Sequence, residues 1–175
     1  MDTLCRLMSP DLPLRIEPKR LARIGETIAG EYAIHDMQRL VELLYDSTGK
    51  VIFSLEFIFD NGQNIPLIKG SIEAQVNIPC QRCLGGMEFK IDNPVFLGIT
   101  NSRTGSVSLP DECEPLQLDE DSILLQDLIE DELILALPIS AMHNAHECNA
   151  TELIDKIKDN NRSSPFAALD KLNRK

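Results

Sequence analysis

Cys80-Gln81-Arg82-Cys83 sets two thiols three positions apart. At the end of a strand, that spacing lets two thiolates bridge one metal ion. A Zn2+ ion then needs two further nitrogen or sulfur ligands. About sixty residues later, His143-Asn144-Ala145-His146-Glu147-Cys148 offers three of them. The candidate ligands are therefore Cys80, Cys83, His143, His146 and Cys148. In an extended segment His146 and Cys148 share a side, because side chains alternate along a strand. In a turn or a helix start, His143 reaches the same ion instead. A closed structural site takes four ligands, so the two histidines compete for one place. Neither half has a standard zinc-finger spacing, since the second reads H-x2-H-x-C. A C-x-x-C also serves as a redox pair, but nothing here sets it at a helix N-terminus, where a thiolate is favoured. Cys5 and Cys113 have no Cys or His nearby in sequence and read as incidental thiols, and His35 reads as a helix-start residue.

The flanking segments must position these groups. Val51–Asp60 alternates, with Val51, Phe53, Leu55, Phe57 and Phe59 on one side. Residues 67–78 alternate again, with Ile68, Ile72, Ala74, Val76 and Ile78 against Lys69, Ser71, Glu73, Gln75 and Asn77. Asn61-Gly62 between them is a turn signal. The pattern predicts a long antiparallel hairpin with one wet face. Its second strand runs into the Cys80–Cys83 knuckle, and Gly85-Gly86 permits a tight reversal. A third strand follows at Met87, Phe89 and Ile91, and a fourth at Val95, Leu97 and Ile99 after Pro94.

Outside this core the signals are more varied. Leu12–Ile16 reads as an edge strand, where Pro13 is tolerated. Residues 35–46 place Met37, Leu40, Val41 and Leu44 at helical spacing. Residues 101–114 form a polar loop. A helix follows around 123–136, capped by Asp121 or Ser122 and stopped at Pro138. Leu124, Leu125, Leu128, Ile129, Leu135 and Ala136 form its apolar stripe. Asp127, Glu130, Asp131 and Glu132 read as its solvated face. The reading is an α+β fold: an antiparallel sheet with a long hairpin, packed helices and a C-x2-C knuckle. One domain spans 1–158, and 159–175 is a linker with a short amphipathic tail. In that tail Ser164 and Pro165 open a helix with Phe166, Leu169 and Leu172 on one side, followed by Lys171, Arg174 and Lys175; either it docks on its own domain, or Phe166, Leu169, Lys171, Arg174 and Lys175 are a candidate face for a partner or for rRNA.

Composition bounds the function. The chain has 175 residues, 43% of them apolar, enough for a core without help from a metal. No apolar h-region opens the chain, and no apolar run approaches the ~20 residues of a membrane span. Five unevenly placed cysteines do not form a disulfide framework, so a reducing cytoplasm is expected. Net charge is −11, with residues 26–155 holding six Lys/Arg against twenty-three Asp/Glu. Such a body grips a phosphate backbone poorly. Two readings of the acid excess stay open: it attracts a basic protein, or it only keeps the protein soluble.

The order of motifs resembles a known family. A long hairpin leads to C-Q-R-C-L, then an acidic loop, D-L-I-E-D-E-L-I-L-A-L-P, the His/Cys cluster and a terminal S-P-F-A-A-L-D-K-L-N-R-K. This is similar to the YceD family, the large ribosomal RNA subunit accumulation proteins, over essentially the whole chain. The family commonly carries a second C-x2-C where this chain has its His-rich cluster, a departure that keeps metal-competent ligands but changes their type. The resemblance implies a non-enzymatic factor for synthesis, processing or stability of 23S rRNA. Its expected partner is a large-subunit precursor or a basic ribosomal protein, with any rRNA contact indirect and no membrane involved. The alternative is a metal-dependent RNA-processing enzyme. Cysteine-rich ligation favours a closed structural zinc site over the open position that hydrolysis needs.

Overall fold

The computed structural model describes residues 12–60, 62, 65–100, 109–118, 120–144, 147–148 and 150. Along the chain run β1 (Arg15–Ile16), α1 (Pro18–Ile24), β2 (Thr27–Ala33), a 3-10 turn (Ile34–Asp36) and α2 (Gln38–Val41). Next come β3 (Lys50–Asp60), β4 (Ile65–Pro79), β5 (Gly86–Thr100), β6 (Glu114–Gln117), β7 (Ile123–Leu124) and α3 (Leu125–Ala136). The five-stranded sheet has the order β2-β3-β4-β5-β6, antiparallel except for the parallel β5–β6 pair. β1 and β7 form a separate two-stranded ribbon. The fold is α+β, as the alternation predicts.

The hairpin register explains the core. Val51 pairs with Ala74, Phe53 with Ile72 and Phe57 with Ile68. All six are buried, while Glu56, Lys69 and Glu73 are exposed. A one-residue slip would turn this apolar set to water, so the register is fixed by burial. α3 closes the core with Leu125, Leu128, Ile129 and Leu133, and Ile34, Met37 and Leu40 complete it. Each such side chain contributes roughly 1.5–3 kcal/mol by leaving water.

Several expectations change. The third and fourth strands are one strand, β5, running straight through Pro94. β6 covers β5 only at Leu97–Thr100, so no strand among the described residues flanks Pro94 on that side, where a missing N–H is tolerated. The helix expected over 35–46 is a 3-10 turn and one α-turn; Met37 and Leu40 are buried as the spacing implies. The edge strand at 12–16 shrinks to Arg15–Ile16.

Asp121 and Ser122 do not cap α3. The Arg15 guanidinium donates to the Ser122 hydroxyl and carbonyl, and Lys19 donates to Asp121 at 3.1 Å. The first helical N–H, of Leu125, donates instead to the Leu14 carbonyl. Leu135 lies outside the buried stripe, and the acids do not share one wet face. Glu130 is buried, accepting from the Arg39 Nε and from the Leu40 backbone N–H at 2.9 Å. Glu132 is also buried, whereas Asp127 and Asp131 are exposed. Among the described residues no helix is long and apolar enough to cross a membrane.

Candidate metal centre

β4 ends at Pro79, and the knuckle turns the chain back into β5. Cys80 N–H donates to the Gly85 carbonyl at 2.9 Å, and Leu84 N–H donates to the Cys80 carbonyl at 2.8 Å. The residue that takes the left-handed conformation is Leu84, with φ 59°, not either glycine. Gly86 serves a different need. A Cβ there would lie 2.5 Å from Tyr45 Cδ1, so glycine lets the Tyr45 ring cover the knuckle exit.

The segment after α3 then meets the knuckle. Gln81 N–H donates to the Ala141 carbonyl at 2.8 Å, and His143 N–H donates to Cys80 Sγ at 3.4 Å. Glu147 N–H donates to the Asn144 carbonyl, and Cys148 faces the same point. The ligand atoms of Cys80, Cys83, His143 and Cys148 all lie within 4.8 Å of one another. A tetrahedral Zn2+ with bonds of about 2.3 Å to sulfur sets its ligands roughly 3.7 Å apart. A small inward movement therefore closes a four-ligand shell.

The histidine is prepared for this role. Its Nδ1 lies 3.3 Å from Cys83 Sγ, and its Nε2 lies 3.2 Å from the Gly86 carbonyl. A carbonyl only accepts, so Nε2 carries the proton and Nδ1 presents its lone pair to the sulfurs. Such a backbone partner fixes the tautomer of metal-binding histidines.

The thiols are also biased toward ligation. Cys80 is 0% exposed. That burial opposes its ionisation, but N–H donors from His143, Cys83 and Arg82 outweigh it and lower its pKa to about 5. The Gly85 N–H favours a Cys83 thiolate, yet burial and the neighbouring Cys80 and Cys148 thiols push Cys83 upward. Crowded thiols that cannot all ionise together are what a divalent cation relieves.

Four of the five candidate ligands thus converge. His146 lies outside the described residues, as do Cys5 and the tail residues Phe166, Leu169, Lys171, Arg174 and Lys175. Cys113 stands apart, just before β6, and His35 lies 3.4 Å from its neighbour Asp36. The supporting carbonyls of Gly86 and Ala141 have no signature in ligand spacing; Gly85-Gly86 marked the turn but not this role.

A family profile described as the large ribosomal RNA subunit accumulation protein YceD matches residues 68–173. The chain is also 29% identical, over 170 residues, to the large ribosomal RNA subunit accumulation protein YceD of Haemophilus influenzae. That alignment covers 94% of this chain and 97% of the relative. No solved structure matches significantly. The profile spans both halves of the Cys/His cluster and more than half of the sequence, and the chain belongs to the YceD family.

Proposed function

We propose that this protein supports the accumulation of large-subunit ribosomal RNA as a non-enzymatic factor that binds a basic ribosomal protein or a precursor particle. The observation that carries the reading is its relationship, over nearly its whole length, to a protein named for that role. The acidic body supports a basic protein as the direct contact, with 23S rRNA affected through it. Cys80, Cys83, His143 and Cys148 hold a structural Zn2+ that staples the segment after α3 to the β4–β5 knuckle. Four protein donors fill a tetrahedral shell and leave no position for a water nucleophile. Residues 1–158 act as one domain, and 159–175 as a tail whose Phe166, Leu169, Lys171, Arg174 and Lys175 add a second contact.

The test is a clean deletion strain examined under slow and fast growth. Mature 23S rRNA and 50S subunits should fall, with restoration by the wild-type gene. Purified protein should leave precursor rRNA uncut. Normal subunit profiles in the deletion, or cleavage by the pure protein, would defeat the reading.

A further inference from the structure

A cleft at the end of α3 takes no part in the metal centre. It encloses about 420 Å3 between the last turn of α3, the flank of β5 and the turn leading into β6. Its walls are of two kinds. Phe96 and Leu135 are apolar, and Leu135 is 73% exposed. Glu112, Glu114 and Glu132 are acidic. Glu132 is 9% exposed, and its only partner among the described residues is the Asn93 amide, which donates at 3.3 Å. No described lysine or arginine lines the cleft, and none pairs with Glu132. Lys69 lies over the Phe96 ring, 4.5 Å from its centroid, and is not part of the lining.

Each of these features favours a cation. A carboxylate buried without a counter-charge is costly, and burial followed by the Glu114 charge raises the Glu132 pKa. The carbonyl end of a helix carries partial negative charge, and the last turn of α3 has no basic residue to offset it. Glu112 adds a rim carboxylate from a position with φ 65°, in the turn closed by Cys113 N–H to the Pro110 carbonyl. Glycine is the residue without strain at such a position. A bare metal ion suits the cleft less well, because two of its walls offer no ligand.

We propose that this cleft receives a lysine or arginine side chain of a basic protein partner. Its aliphatic stem lies on Phe96 and Leu135, and its charged head lies between Glu114 and Glu132. Long basic side chains combine these two characters. The identity of that partner as ribosomal rests on the function proposed above; the cleft itself is tested separately.

Full-length, zinc-loaded, 15N-labelled protein is titrated with N-acetyl-arginine methylamide, with the neutral citrulline analogue as control. Arginine should shift the amides of Asn93, Phe96, Glu114 and Leu135 saturably, and citrulline should not. The Glu114→Gln/Glu132→Gln double variant should weaken binding at least about tenfold, a loss of about 1.4 kcal/mol, with a melting temperature no lower than wild type. Shifts scattered over the acidic surface, equal shifts with citrulline, or saturation by Mg2+ alone would overturn the proposal. So would binding that appears only after deletion of residues 156–175, since the chain's own basic tail would then be the occupant. In cells, the double variant should lower 23S rRNA in the deletion background. If the deletion itself leaves 23S rRNA unchanged, the ribosomal reading fails while the titration still decides the cleft.

Discussion

His143 and His146 are three residues apart and chemically identical, so substitution separates them. His143→Ala should lower zinc from about one equivalent per chain, measured by metal analysis of dialysed protein, and depress Tm with it. His143→Cys should keep the metal, because it restores a thiolate at a position where the Gly86 carbonyl is not essential. His146→Ala should leave zinc content unchanged. Equal loss in His143→Ala and His146→Ala would contradict the geometry. The Cys80–Cys83 pair is legible in the sequence because its spacing is local and its strand is regular. The place of His143 is not, because it depends on contacts distant in sequence, Gln81 N–H to the Ala141 carbonyl and His143 N–H to Cys80 Sγ. Glu132 gives a second residue-level test. Burial, then the Glu114 charge, raises its folded pKa above 4.5. The native state therefore binds this proton more tightly than the unfolded chain, and stability falls as pH rises from about 4.5 through the folded value. Glu132→Gln removes that cost and keeps an acceptor for Asn93. The variant should be more stable than wild type in urea at pH 7.5, and the gap should close at pH 4. Any loss of zinc in acid is common to both proteins and cancels.

Elements with a clean period read well from sequence, and those fixed by tertiary contact do not. β3 alternates in burial over Lys50–Phe57 and β4 over Ser71–Pro79, and their register follows from one buried face. α1 carries Pro18 at its first turn and Gly25 in a left-handed C-cap, both standard boundary signals, yet seven residues give too little periodicity to stand out. β2 is a strand because β3 offers it a full ladder, not because Thr27–Ala33 alternates. In α3 a polar spacing rule assigns Glu130 to water. The fold buries it, because Arg39 and the Leu40 N–H supply what water would have. Glu130→Ala should therefore cost about 1–3 kcal/mol, by leaving the Leu40 N–H unpaired. Gly70 tests the hairpin itself. A Cβ there would clash with the Ser54 carbonyl, which is backbone and cannot swing aside. Gly70→Ala should destabilise by about 1–3 kcal/mol in urea unfolding. A neutral result would mean that the two strands are not this close.

At the scale of the whole molecule the dominant quantity is charge. Residues 26–155 carry −17 by formal count, six Lys/Arg against twenty-three Asp/Glu, while both ends are basic. Composition makes this legible, but composition cannot say which acids are available. The structure removes Glu130 and engages Asp131 with Arg39, so the middle of α3 is a poor docking face. It leaves Glu112 and Glu114 exposed beside the cleft. A contact built on these groups has a defined salt response, because exposed charges are screened over roughly 8 Å at physiological ionic strength. Binding of the pure protein to an isolated fraction of large-subunit ribosomal proteins, measured by sedimentation, should weaken steadily from 50 to 400 mM KCl (~50–400 mM spans Debye lengths of about 14 to 5 Å). Glu114→Gln/Glu132→Gln should flatten that dependence, whereas truncation at residue 164 should leave its slope intact if the tail is only an accessory contact. A slope unchanged by the double variant and abolished by the truncation would move the principal contact to Phe166, Leu169, Lys171, Arg174 and Lys175. Binding that survives only while rRNA is present, and disappears after nuclease treatment, would mean that the acidic body meets its partner through RNA.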